Sequence, residues 1–339
     1  MRPNNIKTIA SVTTICFLFI LLAFLHSLTK NSSISKRSQV INNSLYKVTN
    51  RNIADNIPGN TNDSPVTIDA SFFEKLANVF PMNDEKTEQS EIQDLKSKVT
   101  AIAYIVGNLK TGEIYLEKRA DLSLPVASMS KLLTASVAMD LLPRNTITQI
   151  DENTIKTVPN NKDDFKPGER FATEELIPLM LVSSSNIAAE AIASTTYMNR
   201  EEFVHNMSAY SWEVGVRSSY FSDPSGISEF NRVSARDIFS LSKYLYERKP
   251  EILNITKIAK GFIERNNLHD SHVFISTHPY VSDKRFLGGK TGTTIAAGET
   301  MLTVLSIKGE PISFVVLHSK AGNRKNDTDI LIKLVSNRF

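Results

Sequence analysis

The chain has 339 residues, of which 41% are hydrophobic, so it is long enough to bury a full core in one large domain or two modest ones. Its 39 basic and 36 acidic side chains give a formal charge of +3, which is too small to indicate binding to nucleic acid. The only cysteine is Cys16, which excludes a disulfide within the chain.

Residues 9–28 form an apolar run that only Ser, Thr and His26 interrupt. Its length is close to the roughly 20 residues that cross a bilayer as a helix. The run is longer than a typical signal-peptide core, and no Ala-x-Ala-like site follows Leu25, which favours an uncleaved anchor over a removed signal. Basic residues flank both ends, so charge alone does not set the orientation. We therefore predict a short tail over residues 1–8 and a transmembrane anchor over residues 9–28.

Residues 29–93 are rich in Asn, Ser, Thr, Asp and Lys, which predicts a linker rather than a packed domain. Within them, residues 69–80 carry apolar side chains at helical spacing. This segment is interpreted either as a short helix that docks on the folded domain or as a helix that lies on the membrane surface. Lys75 is its only basic residue, which favours docking. The folded domain is expected over residues 94–339.

The folded part is expected to begin with a hairpin, in which strands over residues 100–106 and 114–117 flank a turn. A helix is expected behind Pro125 and through residues 131–142. The middle of the chain is largely helical, with helices predicted over 173–180, 187–193, 201–211 and 235–247. Thr173 and Ser234 are the expected N-caps of the first and last of these helices.

The end of the chain returns to strands, predicted over 286–293, 301–307 and 312–318, with a closing helix over 328–336. The first hairpin and these last strands are natural partners in one sheet. The fold class is therefore α+β, with an antiparallel sheet flanked by helices and an inserted helical lobe. Asp223 to Gly226 forms a firm turn within that lobe.

Ser128 precedes Lys131 by three positions near the start of a predicted helix, so the lysine side chain lies within reach of the serine hydroxyl. A lysine can take a proton from serine only as a neutral amine, which requires its pKa to fall by about 3 units. The spacing alone is not specific, because it also occurs at Ser27, Ser33, Ser44 and Ser240. Only the copy at Ser128 has a proline-led entry and a long helix-forming run behind it.

Two further clusters follow in the chain. Ser184 and Asn186 lie between two predicted helices, where a Ser/Asn cluster forms either a capped corner or a polar wall of a cleft. Lys290, Thr291 and Gly292 lie in a predicted strand whose glycines allow another backbone to approach closely.

Ser-x-x-Lys, Ser-x-Asn and Lys-Thr-Gly, in this order, resemble the three motifs of the active-site serine penicillin-recognising enzymes. The likeness is greatest to the low-molecular-mass penicillin-binding proteins, the serine D-Ala-D-Ala carboxypeptidases, and runs from about residue 99 to residue 339. The resemblance implies a β-lactamase/transpeptidase-like fold, peptidoglycan stem peptides as substrates, β-lactams as covalent inhibitors, and neither a metal nor an organic cofactor. It also implies that the domain lies outside the cytoplasmic membrane of a bacterium, with residues 1–8 in the cytoplasm.

The resemblance further implies the catalytic roles. Ser128 becomes acylated and Lys131 takes its proton, while Ser184 relays a proton to the departing amine. Lys290 helps to hold Lys131 neutral. The backbone N–H groups of Ser128 and Thr293 form the oxyanion hole.

The substrate-binding roles follow from the same resemblance. Asn186 bonds the substrate amide, whereas Lys290 and Thr291 bind the terminal carboxylate. Gly292 leaves room for the substrate beside the strand. Ser185 and Ile187 stand where relatives often have Gly and Asp, which bears on substrate preference.

Several alternatives remain open. A class A β-lactamase shares the motifs but adds a Glu-x-x-Leu-Asn segment, and none follows Asn186. A D,D-endopeptidase and a catalytically inactive wall-binding protein are the others. His269 and His272 have a metal-like spacing, but a polar exposed loop is the expected setting. Trp212 is expected in the core.

Overall fold

The computed structural model describes residues 85–159, 163–195 and 197–336. The tail, the anchor and the possible helix over residues 69–80 lie outside these ranges. Among the residues described, no helix combines the length and apolar character needed to cross a bilayer.

The sheet at the centre of the domain has five antiparallel strands. The strands described are β1 (Ala103–Asn108), β2 (Ile114–Lys118), β3 (Leu124–Pro125), β4 (Ile147–Gln149), β5 (Arg170–Ala172), β6 (Arg232–Val233), β7 (Lys260–Ile263), β8 (His272–Ile275), β9 (Phe286–Thr294), β10 (Gly298–Ile307) and β11 (Glu310–Ser319). The spatial order is β2-β1-β11-β10-β9, so the first hairpin and the last three strands share one sheet, as predicted. Three two-stranded ribbons, β3-β6, β4-β5 and β7-β8, lie outside it.

Helices cover both faces of the sheet. The helices described are α1 (Glu85–Lys98), α2 (Ser130–Leu141), α3 (Glu152–Thr157), α4 (Thr173–Val182), α5 (Asn186–Ala193), α6 (Arg200–Glu213), α7 (Ala235–Arg248), α8 (Pro250–Thr256) and α9 (Arg324–Ser336). Helices α2 to α8 lie in sequence between β2 and β9, so they form the inserted lobe that the sequence predicts. Helix α1 runs across residue 93, the predicted end of the linker, and contacts α9.

Alternation along the strands builds two cores, one on each face of the sheet. In β1, Ala103 and Ile105 belong to the core shared with the helical lobe, whereas Tyr104 and Val106 face α9. All six residues of β1 are buried, because a strand covered on both faces has no solvent side. Cover on both faces also explains why the central strands are mostly apolar rather than alternately polar and apolar.

Two N-cap predictions have different outcomes. Ser234 caps α7 as predicted, with its hydroxyl oxygen 3.0 Å from the backbone nitrogen of Asp237. The prediction for α4 is wrong, because Ala172 occupies the cap position and Thr173 is the first helical residue. Glu175 satisfies a different donor at this end of the helix, since its carboxylate accepts from the N–H of Ala172 itself at 2.8 Å.

The expected settings of Trp212 and the two histidines are also wrong. The indole of Trp212 is 61% exposed, because α6 buries Phe203, Met207 and Ser211 and the next residue faces outward. His269 and His272 are buried rather than exposed. Strand β8 begins at His272 and turns its alternate side chains inward, which a polar sequence did not indicate.

Candidate active site

The nucleophile candidate lies in a short, tightly constrained turn. Residues Ala127–Met129 form one turn of 3-10 helix directly before α2, so Ser128 precedes a helix that carries Lys131 in its first turn. Ala127 adopts a φ of 50°, a left-handed backbone conformation that a residue with a side chain rarely takes. Such a conformation persists only when its surroundings enforce it.

Two glycines allow those surroundings to approach the turn. A Cβ atom on Gly226 would lie 1.9 Å from the carbonyl oxygen of Ala127, and Gly226 itself has a φ of 81°. A Cβ atom on Gly292 would lie 2.9 Å from the carbonyl oxygen of Val126. The loop at 226 and strand β9 are therefore pressed against the backbone beside Ser128. For Gly292 this contact is the close approach of another backbone that the glycines of the strand indicated in the sequence.

Lys131 is completely buried beneath this turn. Its Nζ lies 2.8 Å from Ser128 Oγ, 2.6 Å from Asn186 Oδ1 and 2.6 Å from the carbonyl oxygen of Ser225. Burial lowers the pKa of the ammonium from 10.5 to about 7, although three nearby carboxylates act in the opposite direction. These carboxylates belong to Asp163, Glu190 and Asp223.

The three neighbours of Nζ also orient it. The oxygen of a backbone carbonyl and the amide oxygen of asparagine only accept hydrogen bonds, whereas a serine hydroxyl both donates and accepts. A neutral lysine amine has two hydrogens and one lone pair. The two hydrogens are therefore donated to Asn186 and Ser225, and the lone pair faces the hydroxyl of Ser128. This arrangement suits proton transfer from serine to lysine.

The second pair of the site is Ser184 with Lys290. Ser184 lies in the corner between α4 and α5 with a φ of 64°. Lys290 Nζ donates to Ser184 Oγ at 2.8 Å and to the carbonyl of Thr291 at 3.1 Å. The pKa of Lys290 lies well below its ordinary value because the amine is buried, with smaller contributions from the charges of Lys131 and Arg324.

Strand β9 lies against the turn that carries Ser128 and forms the adjoining wall. Thr291 is buried, and its Oγ1 lies 2.8 Å from Thr277 Oγ1. Thr293 is exposed at the mouth, where Arg324 donates to its Oγ1 at 2.8 Å. The same guanidinium nitrogen bonds the carbonyl of Gly292 at 3.0 Å. A cation thus lies beside the strand that was predicted to bind a carboxylate.

The eight predicted site residues lie on three segments: the turn and first residues of α2, the corner before α5, and strand β9, which packs against the turn. Four of them form two amine–hydroxyl pairs, Lys131 with Ser128 and Lys290 with Ser184, and Asn186 joins the first pair.

Sequence reasoning missed two groups that complete the site. The carbonyl of Ser225 is a backbone atom, and it is aimed at Lys131 by Asp223, whose carboxylate accepts from the N–H groups of Ser225, Gly226 and Ser228 at 2.5 to 2.8 Å. Only the turn itself was recognisable in the sequence. Arg324 comes from the start of α9, more than thirty residues after Thr291, and carries no local signal.

Solved structures of other proteins share this fold. The D-alanyl-D-alanine carboxypeptidase of Mycobacterium tuberculosis H37Rv superposes with a TM-score of 0.63 at 21% identity, covering 70% of this chain and 90% of that one. Penicillin-binding protein D2 of Listeria monocytogenes, solved with cefotaxime bound, superposes with a TM-score of 0.61 at 24% identity, covering 70% of this chain and 97% of that one.

The family description of the D-alanyl-D-alanine carboxypeptidases, peptidase family S11, matches residues 86–321, and the chain belongs to this family. A D-alanyl-D-alanine endopeptidase of Pseudomonas aeruginosa is 24% identical over 226 residues, covering 66% of this chain and 73% of its own length. The D-alanyl-D-alanine carboxypeptidase DacF of Bacillus subtilis is 24% identical over 230 residues, covering 65% of this chain and 57% of its own length. The predicted family and fold class are thereby confirmed.

The lowered pKa of Lys131 predicts a pH dependence for covalent labelling by a penicillin. The neutral amine is the reactive form, so the labelling rate should rise with pH, reach half its maximum near pH 7 and level off above the pKa. Below the pKa the rate should fall about tenfold per pH unit. Rapid-quench labelling between about pH 5 and pH 9 measures the profile. A rate that is flat across this interval would contradict the assignment of Lys131 as the base.

The contact at Gly226 predicts that Gly226→Ala both destabilises the domain and slows labelling. The new Cβ would displace the Ala127 carbonyl beside Ser128, so we expect a loss of about 2–4 kcal/mol in unfolding free energy and at least a roughly tenfold slower label. Gly112→Ala is the matched control, because Gly112 has a φ of 79° but nothing within 4 Å of the added Cβ. It should cost about 1 kcal/mol and leave labelling unchanged. Equal effects of the two variants would refute the close-contact explanation.

Proposed function

We propose that this protein is a serine D,D-carboxypeptidase that removes the terminal D-Ala from peptidoglycan stem peptides through an acyl-enzyme on Ser128. The observation that carries the proposal is the buried amine of Lys131, which is held between two acceptor-only oxygens and directed at the Ser128 hydroxyl. Family membership supports the substrate class.

In the acylation step, the Ser128 oxygen attacks the carbonyl carbon of the D-Ala-D-Ala peptide bond while its proton passes to Lys131. The backbone N–H groups of Ser128 and Thr293 stabilise the resulting oxyanion. The proton held by Lys131 then passes through Ser184 to the amine of the terminal D-Ala, which leaves as the C–N bond breaks, and Lys131 is neutral again. The 2.8 Å bond from Lys290 to Ser184 keeps that hydroxyl oriented. Water subsequently attacks the ester carbonyl, one of its protons is taken up by the site and returned to Ser128 Oγ as the ester C–O bond breaks, and the shortened peptide leaves as its carboxylic acid.

Substrate recognition uses β9 and its neighbours. Thr291 and Thr293 offer hydroxyls to the terminal carboxylate, and the positive charge of Arg324 beside Thr293 favours an anion there. Lys290 is almost fully buried, its pKa lies well below the ordinary value because of that burial, and its amine donates to Ser184, so we assign it to orienting the Ser184 hydroxyl. Asn186 gives its oxygen to Lys131 and can offer its NH2 group to the amide of the substrate.

A D,D-endopeptidase is the second candidate, favoured by the names of several relatives. The relatives from Pseudomonas aeruginosa, Haemophilus influenzae and Escherichia coli are D-alanyl-D-alanine endopeptidases, with 24 to 29% identity. The acylation chemistry is the same, and only the departing amine differs. Incubation with a pentapeptide and with a crosslinked dimer, followed by mass analysis of the products, separates the two activities.

The proposed location follows from the substrate, which lies outside the cytoplasmic membrane. Residues 9–28 would anchor the protein with residues 1–8 in the cytoplasm, residues 29–93 would span the gap, and the catalytic domain over 94–339 would face the wall. The test is fractionation of cells that make the full chain, beside a variant lacking residues 9–28. We expect the full chain to resist alkaline extraction and to be accessible to external protease, and the variant to leave the membrane fraction. Extraction of the full chain by carbonate would contradict an integral anchor.

The role of Ser128 predicts that Ser128→Ala abolishes covalent labelling by a fluorescent penicillin. Ser184→Ala should still label but with a rate lower by roughly 10²-fold, because proton transfer loses its relay. Ser240→Ala is the control, since Ser240 has the same Ser-x-x-Lys spacing but lies in α7 with its hydroxyl bonded to the backbone of Arg236. It should label like the unmodified protein.

Three outcomes of the same experiment would overturn the proposal. Label retained by Ser128→Ala would exclude Ser128 as the nucleophile. Rapid penicillin hydrolysis without a stable label would indicate a β-lactamase. Neither label nor hydrolysis would indicate an inactive wall-binding protein.

A further inference from the structure

The corner that presents Ser184 and Asn186 adopts an unfavourable backbone conformation. Ser184 has a φ of 64°, a left-handed conformation that a serine rarely adopts and that requires support from its surroundings. Part of that support is local, because Ser183 donates to the Leu179 carbonyl at 2.8 Å and the Ser185 N–H bonds the same oxygen at 3.2 Å. These two bonds hold the side of the corner next to α4. The other side, next to α5, depends on Ser185.

Ser185 is buried and is the N-cap of α5, where its Oγ accepts from the Ala188 N–H at 2.9 Å. Its own hydroxyl proton is then directed at Asp163, whose Oδ2 lies 2.7 Å from Ser185 Oγ. The Asp163 carboxylate also accepts from the backbone N–H of Ile187. A carboxylate from an earlier loop therefore completes the cap of the helix that carries Asn186.

We propose that Asp163 is a positioning residue for the reaction, which acts through Ser185 to hold the corner that presents Ser184 and Asn186. The inference rests on the proposed function, since it concerns the same site. Asn186 is the link to the chemistry, because its Oδ1 holds Lys131 Nζ at 2.6 Å. Tilting the start of α5 would move this oxygen and Ser184 together. A displacement of catalytic groups by about 1 Å can lower a reaction rate by roughly 10²-fold.

Asp163 is also one of three acidic residues whose charges raise the pKa of Lys131. The charged groups near Lys131 are Asp163, Glu190 and Asp223, and the amine of Lys290 approaches from β9. Glu190 lies on α5 itself, and its carboxylate pairs with Arg200 of α6 at 2.7 Å. The Asp223 carboxylate accepts from several backbone N–H groups of its own loop. Asp163 alone among the three contacts the Ser184–Asn186 corner through a hydrogen bond that the structure describes.

Because Asp163 is charged, its removal should change the pH dependence of labelling, which the loss of a purely structural residue would not. A negative charge near Lys131 favours its protonated form, so removal of the charge lowers the pKa of Lys131. The half-maximal pH of labelling should then fall. Loss of the Ser185 contact alone should lower the rate at the plateau without moving that pH.

The test is the pH profile of penicillin labelling of the full-length protein and its variants. Ser185→Ala removes the cap contact and keeps the charge. Asp163→Asn removes the charge and keeps an oxygen that can accept from Ser185, whereas Asp163→Ala removes both. Asp164→Asn is the matched control, because this neighbouring side chain is 75% exposed and bonds His272 at 2.8 Å instead of the corner. Thermal unfolding of each variant shows that the domain is folded.

We expect Ser185→Ala and Asp163→Ala to lower the plateau rate about tenfold or more. Asp163→Asn and Asp163→Ala should lower the half-maximal pH by about half a unit or more, while Ser185→Ala and Asp164→Asn leave it in place. Plateau rates that stay unchanged in both Ser185→Ala and Asp163→Ala would overturn the positioning role. A half-maximal pH that does not move in Asp163→Asn would overturn the charge contribution. Absence of label on Ser128 in the unmodified protein is a different result, since it would refute the proposed function itself.

Discussion

The site depends on keeping one primary amine out of water. Lys131 loses its ordinary preference for the charged state because it is fully buried, and within the described part of the chain three oxygens are its hydrogen-bond partners. Each partner comes from a different part of the chain, namely the turn at 128, the corner at 186 and the loop at 225. A shift of any of the three would either admit water or leave a buried polar group unpaired. The fold around the site keeps water out and keeps the buried polar groups hydrogen-bonded.

The same requirement explains why strained and side-chain-free positions cluster here. Ala127 and Ser184 have positive φ angles, and Gly226 and Gly292 have no Cβ atom. These features allow the backbone to approach closely around the two amines. A charge on Lys131 lowers the pKa of Lys290 in addition to the larger effect of burial. Because such coupling is reciprocal, the two buried amines are unlike a pair of surface lysines and disfavour being protonated at the same time.

Much of this arrangement was predictable from sequence. Alternation of apolar residues predicted the strands. The order of three short motifs indicated the family and predicted that Ser128, Ser184 and Lys290 belong to one site. Two groups were not predicted because they have no sequence signature. The Ser225 group is a backbone carbonyl, which every residue type has, and Arg324 reaches β9 from the distant helix α9. The burial of His269 and His272 and the exposure of Trp212 were missed because polar or aromatic character says little about which face of an element is covered.

The pairing of β1 with β11 has a consequence for how the protein is made. Ala103 lies opposite Leu317, so the sheet joins residues that are more than two hundred positions apart, and the second amine of the site arrives on β9 only shortly before. Closing so long a loop is slow, and although β1 can pair with β2 early, β1 cannot pair with β11 before the late strands exist. A chain that emerges from a ribosome or a translocation channel with its N-terminus first thus carries Ser128 and Lys131 before β9 can pack beside them. The surroundings of the nucleophile are assembled only after more than one hundred and fifty further residues have been made.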